Sequence, residues 1–406
     1  MIFASIILGL IFLELSLTAI VRRFRKEFQW LITEVDEFPE LPQQALDKFI
    51  NSSFDKELGW VRKPNTSGIE KGKYGDITFF IDSEGSRKSS FPKLEKTIAV
   101  FGDSYAFCRQ VMDTETWEEG VSKTLNTGVL NFGVGNYGVD QALIRYMSET
   151  LQDTVKIAVM CFVPETICRI QSYWKHYLEF GNTFAFKPRF KLSESGELVL
   201  VRNAIQTPSD FNNLKSILPG IQANDDFYLR KFRKFQFRKP YIISLFRAPG
   251  RQFSLIGNLL SNKLMGLINI NSEKHKNQAF ASVMKYNIQE AREMYSDNKA
   301  TLLLKKILLN FGSVAKSKGH KPLILVIPQL LDFYEDKYLS MPYSVFYEEL
   351  ASEYDVIDMA GKFRTQELTD IYINDQYGGH LSAKGNELVA ESVVEWVKTL
   401  NLSKFH

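Results

Sequence analysis

Ile98-Ala99-Val100-Phe101-Gly102-Asp103-Ser104-Tyr105 is an apolar run that stops abruptly on Gly-Asp-Ser, with an amphipathic stretch behind it. A short, continuous apolar segment bounded by turn residues reads as a strand buried on both faces, the kind found in parallel sheets. The turn that follows delivers the hydroxyl of Ser104 to the exposed end of that strand.

The same pattern recurs outward along the chain. Thr97 to Phe101, Val129 to Phe132, Lys156 to Phe162, Pro322 to Ile327 and Val356 to Asp358 are short, contain β-branched residues and end in turn residues. Between them, Leu303 to Lys316 and Glu387 to Leu400 repeat apolar residues every three or four positions, as helices laid on a sheet do. The expected fold class is therefore α/β, a parallel sheet flanked by helices. In open sheets of this kind functional groups gather at the carboxyl ends of the strands, where Ser104, Asn136 and Glu165 all fall.

Far downstream, Asp375-Gln376-Tyr377-Gly378-Gly379-His380-Leu381-Ser382 supplies a carboxylate and an imidazole just before a helical pattern. Serine, aspartate and histidine on separate loops are the parts of a nucleophilic triad: the imidazole takes the serine proton, and the carboxylate orients and stabilises the imidazolium.

Taken together, these segments resemble the SGNH/GDSL hydrolase superfamily, and most closely its membrane-anchored bacterial branch with an N-terminal extension. The first motif resembles Phe101-Gly102-Asp103-Ser104-Tyr105, continuing into Val111 and Glu115-Thr116-Trp117. The second resembles Leu130 to Gln141, and the last Asp375 to Asn386. Leu58 to Asn65 and Asp82 to Arg87 are similar to the leader of that branch. The resemblance implies a flavodoxin-like sheet, ester chemistry with Ser104, Asp375 and His380 as the catalytic residues, and no metal or organic cofactor.

Two positions depart from the family pattern, and both concern the oxyanion hole, for which the resemblance implies Ser104, Asn136 and Glu165. A family glycine aligns with Asn136, which keeps a backbone N–H and tolerates positive φ. A family asparagine aligns with Glu165, and a carboxylate donates a hydrogen bond only when protonated. Either burial keeps Glu165 neutral, or another group substitutes, or the reaction is not ordinary ester hydrolysis; Glu165 also reads as a carboxylate at a helix N-terminus. Asp375 stands five residues before His380, where three is commoner in the family and would select Tyr377. The added Gly378 and Gly379 permit a tighter loop.

The chain has 406 residues, 45% of them hydrophobic, enough for one large domain with additions. A net charge of +3 argues against a nucleic-acid partner held by phosphate contacts. Cys108, Cys161 and Cys168 show no Cys-x-x-Cys spacing, which argues against a disulfide framework or a zinc site.

Met1 to Val21 is apolar apart from Ser5, Glu14, Ser16 and Thr18, and is long enough to cross a bilayer. The expected organisation is an anchor over 1–24, an N-terminal extension over 25–95, and a hydrolase-like domain over 96–406 interrupted by an insertion at about 178–298. Arg22, Arg23, Arg25 and Lys26 follow the apolar run, which speaks against a cleaved signal peptide. The same cluster favours a cytoplasmic domain by charge, whereas the family branch points to exported glycans.

Within the insertion, Arg230 to Lys239 interleaves cations with phenylalanines and leads into the apolar Pro240 to Phe246. It reads as a membrane-surface segment, a site for an acidic glycan, or a strand with one basic face. Asp103, Trp174 and His176 are the candidate substrate-binding residues, the last two because an indole stacks on sugar rings and an imidazole bonds their hydroxyls, although core packing accounts for Trp174 equally well. The expected activity is a serine esterase acting on an acylated carbohydrate, possible in surface-polysaccharide metabolism. An O-acyltransferase using the same acyl-enzyme, and a non-catalytic glycan-binding protein, are the alternatives.

Overall fold

Every strand of the central sheet runs in the same direction. In the computed structural model, which describes residues 2–23, 31–72, 75–267, 278–334, 341–373 and 379–400, five strands pair in parallel: β1 (Lys96–Gly102), β2 (Gly128–Asn131), β3 (Ile157–Phe162), β4 (Lys321–Val326) and β5 (Asp355–Asp358). Their spatial order is β5-β4-β3-β1-β2, the flavodoxin-like 2-1-3-4-5 arrangement with its switch point between β1 and β3. β1 and β3 are in register from Ile98 opposite Ile157 to Gly102 opposite Cys161, so the segments after Gly102 and Phe162 emerge side by side.

Both faces are covered, which is why the strands read as unbroken apolar runs. One face packs Ala99, Phe101, Ala158 and Met160 against helices Val139–Ser148 and Asn298–Ser317; the other packs Ile98, Val100 and Val159 against Trp117–Leu125 and Ala383–Thr399. Asp297 caps the second of these helices by accepting from Lys299 N and Ala300 N, and Ser382 caps the last by accepting from Gly385 N.

The N-terminal α1 (Ile2–Arg23) is one helix long and apolar enough to cross a membrane, and its first turns project from the rest of the molecule. The insertion is mostly helical, not a strand with a basic face. After a π-helical turn at Tyr228–Arg233 come α2 (Tyr241–Arg247), α3 (Pro249–Leu267) and α4 (Gln278–Met294). Lys231 and Phe232 are buried, so that stretch is not a free basic ribbon. A small hairpin, β6 (Tyr372–Ile373) with β7 (His380–Leu381), stands beside the carboxyl ends of the sheet.

Candidate active site

Gly102 ends β1 where the chain passes so close to β3 that an added Cβ would lie 1.7 Å from the carbonyl oxygen of Cys161. The turn beyond it carries Ser104. Across the turn, β7 presents His380, whose Nε2 lies 2.9 Å from Ser104 Oγ. Tyr105 steadies that imidazole, stacking on it at 5.0 Å and donating its hydroxyl to the carbonyl of Gly379 at 2.6 Å. Gly379 has φ of 85°, and a Cβ there would meet Leu330 at 2.5 Å, so this approach to His380 requires glycine. Asp375 and Tyr377 lie outside the described residues.

Ser104 and Asn136 line the same cavity. Among the described residues, the N–H groups of Ser104 and Asn136 have no acceptor. Asn136 sits in the left-handed region at φ 69°, on a loop tied to the sheet by Val134 N donating to Gly102 O. This arrangement suits an oxyanion, which forms only when the serine has attacked.

Glu165, the expected third oxyanion residue, is held on one side by an ion pair. Its Oε2 accepts from Arg169 Nη2 at 2.8 Å and from Gln329 Nε2 at 3.4 Å, with the carboxylate and guanidinium both buried. It stands at the N-cap position of the short helix Thr166–Arg169, yet its side chain caps no backbone N–H. Through Oε2 it positions Arg169 and Gln329, while Oε1 is buried with no partner among the described residues, and Glu165 lines the cavity that holds Ser104 and His380. Arg169 Nη1 also reaches Asp103 Oδ2 at 3.0 Å, and its pKa is raised because Glu165 and Asp103 outweigh the desolvation that would lower it.

Asp103, expected to touch substrate, is a strut. Its Oδ1 accepts from Tyr105 N at 2.8 Å, and Oδ2 accepts from Val163 N at 3.1 Å as well as from Arg169. Burial pushes its carboxyl up, and Arg169 and the two N–H groups hold it back. Fully enclosed, it fastens the nucleophile turn to the end of β3.

Trp174 and His176 are likewise withdrawn from any ligand. Trp174 is wholly buried, stacked on Phe186 at 4.7 Å with its Nε1 donating to Thr183 O. His176 packs beside it with Nε2 against the carbonyl of Asp36, and burial holds its imidazole down to about 4. Hydrophobic enclosure claims both rings because the insertion and the segment after residue 31 close over them.

The cavity at Ser104 and His380, about 560 Å³, is walled instead by Trp60, Phe49 and Phe180 and by the polar Arg62, Glu70 and Arg109. Arg62 and Arg109 flank Glu70 at 3.1 and 2.6 Å. Trp60 is fixed at the rim: its Nε1 donates to Gly135 O, and Tyr137 donates its hydroxyl to the Trp60 carbonyl. The N-terminal extension thus builds one wall of the pocket. Sequence reading missed Trp60 as a wall residue although it lies in the quoted leader segment, and missed Arg169, whose four-residue spacing from Glu165 was a helical ion-pair signal. It also missed Arg87, which donates to the carbonyls of Phe107, Cys108 and Val111 and pairs with Asp113 at 2.7 Å, stapling the loop after Ser104. Nothing local in sequence marks that role.

No protein-family model matches the chain, and no curated protein matches it. Among solved structures, the chain is similar to a protein from Desulfitobacterium hafniense DCB-2 that is provisionally assigned to the lipolytic G-D-S-L family, with 10% identity, a TM-score of 0.30, and coverage of 74% of this chain and 98% of that one.

Proposed function

We propose that the chain is a serine esterase that removes an acyl group from an acylated carbohydrate. The observation that carries the reading is the 2.9 Å approach of His380 Nε2 to Ser104 Oγ in the wall of a cavity of about 560 Å³. Ser104 Oγ attacks the ester carbonyl as His380 takes its proton, and the N–H groups of Ser104 and Asn136 receive the developing oxyanion. Collapse breaks the ester bond, and His380 returns the proton to the departing sugar alkoxide. A water molecule, deprotonated by the same imidazole, then releases the acyl group as a carboxylic acid and restores Ser104. Asp375 is the residue proposed to orient His380. Asn136 and Ser104 stand as the oxyanion donors.

A carbohydrate is supported by the walls: aromatic faces of the kind sugar rings stack on, interleaved with charged groups able to bond hydroxyls. Release of free acid from an O-acetylated polysaccharide by the full-length protein, absent in Ser104→Ala, is the expected result. Acyl transfer to an added glycan with no free acid would reassign the chain as an acyltransferase. Inertness toward both acetylated glycans and p-nitrophenyl acetate would overturn the esterase reading.

A further inference from the structure

The freely exposed part of the apolar N-terminal helix is too short on its own to cross a bilayer. Ile2 to Leu13 is exposed around its circumference, but from Glu14 onward α1 is partly covered, and Val21 is buried with Leu31, Phe237, Leu245, Leu255 and Leu259. Twelve free residues rise about 18 Å, against roughly 30 Å of bilayer hydrocarbon. A span therefore has to take in the turns after Leu13, and with them whatever is packed on those turns.

What is packed there is α2, followed by α3. The one acidic side chain in the apolar helix makes the junction: Glu14 Oε1 accepts from Tyr241 N at 2.7 Å and Oε2 from Ile242 N at 2.9 Å, capping the first turn of α2. That satisfies a carboxylate which would be costly in lipid and places the start of α2 about 13 Å along the helix from Arg23. On the outside of this unit, Phe253, Leu260 and Leu264 recur at helical spacing along α3, with Ile243 and Phe246 of α2 beside them, all exposed. Phe246 and Phe253 meet edge to face at 6.0 Å. Arg22 and Arg23 end α1 and Arg247 ends α2, all three exposed, as suits a headgroup layer.

We infer that α2 and α3 are embedded with the second half of α1 in one leaflet of the bilayer, so that the insertion is a membrane-seated platform and not a soluble cap. The inference rests on reading α1 as a span. It has a consequence for the site: α4 is joined to α3 by Asn258 Nδ2 donating to Ser282 Oγ at 2.8 Å, and α4 lines the Ser104 cavity through Val283, Met284 and Asn287. The cavity lies one helix from the lipid surface.

Single spin labels on the full-length chain in phosphatidylcholine/phosphatidylglycerol liposomes test this, since Cys108, Cys161 and Cys168 are buried. Leu8→Cys serves as the span reference and Glu194→Cys, on an exposed turn, as the water reference. The oxygen-to-nickel-chelate collision ratio at Phe246→Cys, Phe253→Cys and Leu264→Cys is expected to lie several-fold above that of Glu194→Cys and close to that of Leu8→Cys. Values matching Glu194→Cys while Leu8→Cys reads as lipid would overturn the platform alone. Water-like values at Leu8→Cys as well would overturn the span and the platform together.

Discussion

The carboxyl end of the central sheet and the insertion at about 178–298 are built by opposite rules. Around Ser104, the residues at the strand ends, Asp103, Ser104, Asn136 and Glu165, are placed by the turns after their own strands, and long-range contacts brace and wall what the local chain has set. In the insertion the decisive partners lie far away: Glu14 caps Tyr241 and Ile242, Glu37 pairs with Arg233, and Ile32 O receives Phe237 N. A region organised by local pattern can be read one segment at a time. A region organised by distant partners cannot, because its buried and exposed faces are decided by residues some 200 positions away.

The largest effect that would break this contrast is at the nucleophile turn. Ser104→Ala, or His380→Ala, is expected to lower hydrolysis of p-nitrophenyl acetate on the order of 10⁴–10⁶-fold while leaving thermal unfolding nearly unchanged. A loss below tenfold would mean that the pair is close by accident of folding.

Arg169→Leu removes the cation shared by Asp103 and Glu165 and leaves two buried carboxylates facing each other. Breaking a buried pair this way costs about 3–5 kcal/mol, read from urea unfolding, and turnover should fall with it because Asp103 no longer fastens the turn to β3. Unchanged stability would show that the trio is not what ties these segments together.

Trp174→Ala sharpens the contrast from the insertion side. Truncating a fully buried indole costs roughly 3 kcal/mol or more, yet KM for an acetylated glycan should stay within about twofold, since Trp174 does not reach the cavity. A selective rise in KM without loss of stability would restore it as a sugar-binding residue.

The smallest effect is a slope. Burial pushes the Glu118 carboxyl from an ordinary 4.5 to about 8, so between those values the folded chain keeps a proton that the unfolded chain has released. Stability contributed at this site is therefore lost as pH rises from about 4.5 to about 8, and Glu118→Gln should flatten that decline in thermal melts. An identical pH profile in the variant would place the titrating group elsewhere.

The sheet was legible because burial on both faces leaves an unmistakable apolar run; observed strands differ from the expected ones by a residue or so at their ends. Ser104 and His380 were legible because glycines and turn residues mark their loops. Asp103 and His176 were read as ligand contacts because their polar types suggest it, whereas Val163, Arg169 and Asp36 engage them inside the protein, and of the two readings of Trp174 it is core packing, against Phe186, that the fold realises. Whether a polar side chain faces substrate or another side chain depends on what packs over it, and for Trp174 and His176 that cover comes from the insertion and the N-terminal extension.

Labelling of the full-length protein with a serine-directed fluorophosphonate tests the central claim most directly, because only a hydroxyl activated by an adjacent base reacts at an appreciable rate. The account predicts one labelled site, lost in Ser104→Ala and strongly reduced in His380→Ala. Absence of labelling in the native chain, or labelling that persists in Ser104→Ala, would contradict it.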